Sequence, residues 1–265
     1  MHHHDKKTPA ILSIAGHDPT GGAGIIADTE VFIHHQCQPC TIITCLTAQD
    51  STTVHKLIPV NADDILEQAE VLFDDIEIAA IKIGLTASVD CIDAIVKIIL
   101  KSPTIPVIFD PVLASGDGTT LASNELIDSI TSDLLPLVTV LTPNTLEAEK
   151  LSRLTPSHSV EDHGLDLLQK GAKYVLITGG HGQGEEITNQ LFHNEQLIQQ
   201  YHWSRLQGDF HGTGCTLSAA IAALIAKGLP VQEAIAKAQA YTDLTIQRAH
   251  RIGKGQAFPK RILDI

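Results

Sequence analysis

Six consecutive residues, His211-Gly212-Thr213-Gly214-Cys215-Thr216, lead straight into an Ala-rich stretch and carry the plainest chemistry in the sequence. Two glycines among small neighbours let the backbone turn so that successive N–H groups converge on one point. The amino end of the helix that follows adds roughly half a positive charge there. Such a nest suits the charge on a phosphoryl group in transfer. Cys215 falls within the first turn of that helix, where a thiol pKa is expected below its free value of about 8.5. It could then take the proton of an attacking hydroxyl. His211 is a second candidate base, but its better reading is a residue that shapes the loop. An ordinary glycine-containing helix cap beside a buried cysteine is the plainer alternative, and spacing alone leaves the two in balance.

The elements that must hold this loop are legible as apolar runs of strand length alternating with amphipathic stretches. Strands are predicted over residues 11–15, 41–46, 79–84, 106–110, 138–141 and 174–178. Helices are predicted over about 23–35, 65–73, 91–100, 214–227 and 231–250. That alternation predicts an α/β fold with a central, mostly parallel sheet and helices on both faces. In such sheets ligands bind beyond the carboxyl ends of the strands. Gly16, Gln49, Asp110, Asn144 and Gly179 all fall there. Asn144-Thr-Leu-Glu147 also reads as a turn leading into a helix, whose first turn favours Glu.

Composition narrows the classes. With 265 residues the chain fits one sizeable domain, and no linker or repeat divides it. Eighteen basic against 31 acidic side chains give a net charge of −13, which argues against a nucleic-acid partner. No run approaches the roughly 18 apolar residues of a membrane span, and the polar, His-rich beginning is no signal peptide. Five cysteines fit reduced thiols in the cytoplasm better than a disulfide framework. His34, His35, Cys37 and Cys40 form a weak metal pattern, with a single C-x-x-C and no second pair. Gly22-Ala-Gly24-Ile-Ile-Ala27 fits a loose dinucleotide fingerprint, but Thr44, Cys45 and Leu46 stand where its acidic residue would be.

The loop at 211–220, HGTGCTLSAA, together with residues 15–28, AGHDPTGGAGIIAD, closely resembles the hydroxymethylpyrimidine/phosphomethylpyrimidine kinases of thiamine biosynthesis, in the ribokinase-like superfamily. Thr47-Ala-Gln49, Lys82-Ile-Gly84, Asp110-Pro-Val112, Thr142-Pro-Asn-Thr-Leu-Glu147 and Gly253-Lys-Gly255 follow in order, so the resemblance spans about residues 10–255. It implies a three-layer ribokinase-like domain over 10–265, with 1–9 a disordered or tag-like start. It further implies ATP and Mg²⁺ as cofactors, a homodimer, and two successive phosphorylations of 4-amino-5-hydroxymethyl-2-methylpyrimidine. By the same resemblance Gly212, Thr213 and Gly214 form the anion hole and Cys215 occupies the place of the catalytic base. Asp28 and Gln49 would face the aminopyrimidine edge, with Gly16, Leu85 and Val112 on the apolar side. Asp110, Asn144, Thr178, Gly180 and Lys254 would serve the nucleotide, and Glu147 would act on Mg²⁺ through water.

Three departures from the family pattern stand out. No lysine follows Asp110-Pro-Val-Leu-Ala-Ser115, Thr178 replaces the lysine of a Lys-Gly-Gly, and Leu85 replaces a methionine. Two missing cationic contacts predict a weaker second phosphorylation. Pyridoxal kinase activity is the nearest alternative, and a non-catalytic pyrimidine or nucleotide sensor is the alternative of another class.

Overall fold

The computed structural model describes residues 8–263 apart from 117, 156, 181 and 183. Residues 1–7, with the three early histidines of the tag-like start, lie outside the described residues. Nine described strands form one sheet: β1 (Ala10–His17), β2 (Gln38–Gln49), β3 (Val54–Pro59), β4 (Ile78–Ile83), β5 (Val107–Phe109), β6 (Val140–Leu141), β7 (Tyr174–Ile177), β8 (Glu186–His193) and β9 (Gln196–Ser204). Their order is β3-β2-β1-β4-β5-β6-β7-β8-β9. From β2 to β7 every pair is parallel, while β3 at one edge and the β8–β9 hairpin at the other run antiparallel. The expected α/β sheet is therefore present, extended by three strands that were not predicted.

The helices are α1 (Gly24–His34), α2 (Ala62–Asp75), α3 (Val89–Lys101), α4 (Asn124–Ser129), α5 (Thr145–Ser152), α6 (Val160–Gln169), α7 (Thr213–Ala226) and α8 (Val231–Gln247). They sort by the two-residue alternation of the strands. Leu12 and Ile14 of β1, Ile81 and Ile83 of β4, and Val107 and Phe109 of β5 pack against the layer containing α2 to α6. The intervening Ile11, Ala80 and Ile108 pack against α1, α7 and α8. Four alanines in α7 (Ala219, Ala220, Ala222 and Ala223) are wholly buried. Their small side chains bring α7 close to the sheet and set its amino end over the carboxyl edge of the strands.

His34 and His35, half of the weak metal pattern, instead pack their rings against Tyr241 of α8. Cys37 lies beneath α7, with Sγ 3.9 Å from the Ala223 carbonyl. All five cysteines are free and buried.

Candidate active site

The strand order reverses between β1 and β4, and α7 begins above that reversal, where an open α/β sheet makes its crevice. A cavity of about 900 Å³ follows the carboxyl edge from there. Gly16, Gln49, Leu85 and Val112 line one part of it, while Asn144, Glu147, Thr178 and Gly180 line the part toward β7. Gly212, Thr213, Gly214, Cys215 and Asp110 stand between the two. The cluster expected at strand ends is thus brought together in one place.

Gly212 caps α7 with φ of 72°, the left-handed region that glycine favours. A Cβ there would overlap the Gly22 carbonyl, so the 18–24 loop presses directly on the nest. Buried Arg261 fixes this contact. Its Nε donates to Thr216 Oγ1 at 2.9 Å, Nη1 to Gly21 O at 3.2 Å and to Glu30 Oε2 at 3.1 Å, and Nη2 to Gly22 O. Asp18 organises the same loop by accepting from Thr20 N at 2.8 Å and Ala23 N at 2.9 Å. His211 Nε2 lies 2.9 Å from Asp18 Oδ2 and 3.0 Å from Gln49 Nε2. Burial disfavours the Asp18 carboxylate, yet the bonds from His211 and Thr20 hold it below the usual carboxylate range. His211 is engaged as a loop-shaping residue between these partners.

Three sequence expectations need correction. Cys215 was expected to carry a lowered pKa, but burial pushes its thiol up to about 12, against the pull of the Lys82 ammonium. The helix amino end is outweighed because the sulfur sits in the wall with Asp110 and Asp28 also nearby. Asp28 was expected to face the heterocycle. It is instead wholly buried behind the wall, with Oδ1 3.0 Å from Lys82 Nζ and Oδ2 accepting from Ser13 Oγ at 2.6 Å. Its helix position explains this, since Ile25, Asp28, Val31 and Phe32 share the buried face of α1. Lys254 is exposed in the 251–256 loop and does not line the cavity, although Gln256 of the same loop does. That loop is held against the β2–β3 turn, with Gly255 N donating to Ser51 Oγ at 3.1 Å.

Asn144 and Glu147 cap α5 reciprocally: Glu147 N donates to Asn144 Oδ1 at 3.0 Å and Asn144 N to Glu147 Oε2 at 2.9 Å. The structural reading of this motif is therefore satisfied, and Glu147 still reaches the cavity. Burial first, then repulsion from Asp110, raises its carboxyl to about 8. Asp110 is likewise raised, chiefly by burial, with Lys82 acting the other way. Asp110 Oδ2 is buried with no hydrogen-bond partner. An orphaned carboxylate oxygen beside a second carboxyl is a hard-oxygen donor pair of the kind Mg²⁺ takes up together with phosphates and water.

Sequence reasoning quoted Lys82 and Asp18 within motifs but gave them no role, and it missed Arg261 and the Asn189–Gln239–Trp203 network beside Gly179. In that network Gly179 N donates to Asn189 Oδ1 at 2.9 Å, and Asn189 Nδ2 donates to Gln239 Oε1 at 2.9 Å. Trp203 Nε1 donates to the same Gln239 oxygen at 3.2 Å. Lys82 had a signal, a charge inside the apolar run Ile81-Lys82-Ile83. Arg261, near the chain end, had none.

A mostly parallel sheet bearing an amide nest over its reversal point defines a ribokinase-like small-molecule kinase. The phosphomethylpyrimidine kinase family model matches residues 18–260. The hydroxymethylpyrimidine/phosphomethylpyrimidine kinase of Staphylococcus aureus (strain Mu50) is 34% identical over 256 residues, covering 94% of this chain and 92% of the relative. Among solved structures, the ADP complex of Bacillus subtilis pyridoxal kinase aligns with a TM-score of 0.89 at 30% identity, covering 96% of this chain and 98% of that one. The phosphomethylpyrimidine kinase of Clostridium difficile 630 aligns at 0.78 and 33% identity, covering 90% and 100%. This chain belongs to the phosphomethylpyrimidine kinase family.

Proposed function

We propose that the protein transfers the γ-phosphoryl group of ATP to the hydroxymethyl group of 4-amino-5-hydroxymethyl-2-methylpyrimidine, and then a second group to the monophosphate, in thiamine biosynthesis. The observation that carries this reading is the glycine nest at 212–214, which lies between two differently lined parts of one cavity. From β1 to β7 the sheet advances four strand spacings, about 20 Å. That span separates an acceptor at Gly16, Gln49, Leu85 and Val112 from a nucleotide at Asn144, Thr178 and Gly180.

In the step itself the acceptor oxygen bonds to the γ-phosphorus, the bond to the bridging oxygen breaks, and ADP leaves. The N–H groups of the nest hold the charge on the phosphoryl oxygens. Cys215, as thiolate, receives the hydroxyl proton. Asp110 and Glu147 would hold Mg²⁺, which when bound neutralises charge on the phosphates. His211, fixed by Asp18, keeps Gln49 turned to the acceptor side.

A mass-resolved ATP/Mg²⁺ assay on hydroxymethylpyrimidine, its monophosphate and pyridoxal tests this. Turnover of both pyrimidines is expected, and turnover of pyridoxal alone would transfer the site to the second reading. The similarity to the B. subtilis pyridoxal kinase favours that second reading. A homodimer belongs to the same proposal, supported by Leu46 and Ile58, cross-strand neighbours on β2 and β3 that are each 43% exposed. Light scattering of the purified protein tests it. A cytoplasmic setting, supported by the five free cysteines, completes the proposal. No helix among the described residues is long and apolar enough to cross a membrane.

A further inference from the structure

Lys82 is a charged residue with no exposed surface, and it lies on the wall of the cavity rather than beneath a purely structural layer. It is the register partner of Ser13 across the β1–β4 pair, and both side chains are directed to the α1 and α7 layer. The ammonium sits 3.0 Å from Asp28 Oδ1. Asp28 is further satisfied by the Ser13 hydroxyl. Lys82 Nζ and Asp28 Oδ1 are both buried with no well-formed hydrogen bond beyond their ion pair. Two residues on, Gly84 leaves open the space beside it, because a Cβ there would stand 3.0 Å from Nζ. Cys215 and Asp110 share that stretch of wall.

Stability does not account for this pair. Taking two ions out of water costs about as much as their attraction returns, and apolar residues of similar volume usually do as well or better. A buried ammonium in the wall of a cavity, beside a phosphoryl-binding nest, instead sets a fixed positive charge next to the point where transfer builds negative charge. The other cations on the wall, Lys150 and Arg205, come from α5 and from beyond β9, on the nucleotide side. Lys82 comes from the reversal point itself.

We propose that Lys82 is a positioning residue of the reaction centre: its ammonium, held by Asp28 just behind the wall, stabilises from there the negative charge that the acceptor oxygen and the Cys215 sulfur carry during transfer. The proposal rests on the kinase reading above. The hydroxyl proton passes to the Cys215 thiolate, whose own proton has left to solvent before the acceptor fills the cavity, while Lys82 keeps its protons throughout.

Lys82→Met alone would strand the Asp28 carboxylate and could unfold the chain. The test therefore uses the double variant Lys82→Met/Asp28→Asn, in which neither member of the buried pair carries a charge. Its thermal midpoint should equal or exceed that of the wild type. Its kcat should fall on the order of 10²–10³-fold, the usual cost of one charge-stabilising donor, with KM for ATP within about threefold. A double variant that turns over within about threefold of the wild type would overturn the proposal and leave Lys82 a structural partner of Asp28. A second arm does not depend on the substrate: alkylation of Cys215 by iodoacetamide at fixed pH, resolved by mass spectrometry. The double variant should react at least about tenfold more slowly than Asp28→Asn alone, a comparison that isolates the ammonium from the opposing Asp28 charge, since the thiolate is the nucleophile. Wild type that fails to phosphorylate the pyrimidine defeats the kinase reading alone, whereas equal alkylation rates in the double variant and Asp28→Asn defeat the role of Lys82.

Discussion

Burial sets the chemistry of single residues here more than charge proximity does. The thiol of Cys215, raised to about 12, is almost wholly protonated at neutral pH. If the thiolate accepts the substrate proton, the active fraction grows about tenfold per pH unit below that value. The rate of the chemical step at saturating Mg²⁺ should then climb with a log slope near one from pH 7 toward pH 10. Cys215→Ala should lose about 10²–10⁴-fold of that rate and the slope with it. A flat wild-type profile in single-turnover experiments would remove the sulfur from the base role. Glu147, raised to about 8, gives a second pH effect. A carboxyl must lose its proton to serve a cation, so the Mg²⁺ concentration for half-maximal rate should fall as pH rises from 6.5 to 8.5. In Glu147→Gln that concentration should be higher and less steeply dependent on pH, with Asp110 the carboxyl that remains. The nest and Glu147 were legible in sequence because glycines before an Ala-rich helix, and N-x-x-E after a strand, are local patterns. The raised thiol was not legible, since desolvation depends on what three distant strands and α7 place around the sulfur.

At the scale of elements, the amino end of α7 works only because other segments hold it. Gly212 meets the Gly22 carbonyl, and Arg261 ties that loop, α1 and α7 together. Gly212→Ala should leave the sheet folded but displace the nest, lowering kcat on the order of 10²-fold as one donor is lost. Arg261→Met should cost on the order of 3 kcal/mol through its charged hydrogen bonds, read as a lower urea midpoint with an unchanged slope. Most strands and helices were legible from the alternation of apolar runs, and Asp28 was legible in principle as part of the buried stripe of α1. The β8–β9 hairpin was not. Its strands are polar and half exposed, and its turn is Asn194-Glu195, both at positive φ. Asn fits such a two-residue turn, but Glu in place of the usual Gly conceals it. With the hairpin unread, the Asn189–Gln239–Trp203 network at the nucleotide end was also out of reach.

For the whole molecule, the sheet order places the acceptor and nucleotide parts along a single edge, and the net charge of −13 surrounds both. The order itself could not be read from sequence, because each parallel neighbour is set by packing across the layers rather than by any local turn. The acidic field bears on the two phosphorylations differently. Hydroxymethylpyrimidine is uncharged, whereas its monophosphate is an anion that must approach an acidic protein. Lys82, Lys150 and Arg205 on the wall act only at short range, and salt screens the longer-ranged repulsion over about 10 Å at 0.1 M. With ATP saturating in both assays, kcat/KM for the monophosphate should therefore rise as ionic strength goes from about 10 to about 150 mM. The value for the uncharged acceptor should stay nearly level. The ratio of the two isolates the acceptor's charge, since nucleotide, metal and nest are common to both steps. A ratio that falls with salt would mean that the wall cations extend their attraction past the cavity mouth, and that the second phosphorylation is steered rather than hindered.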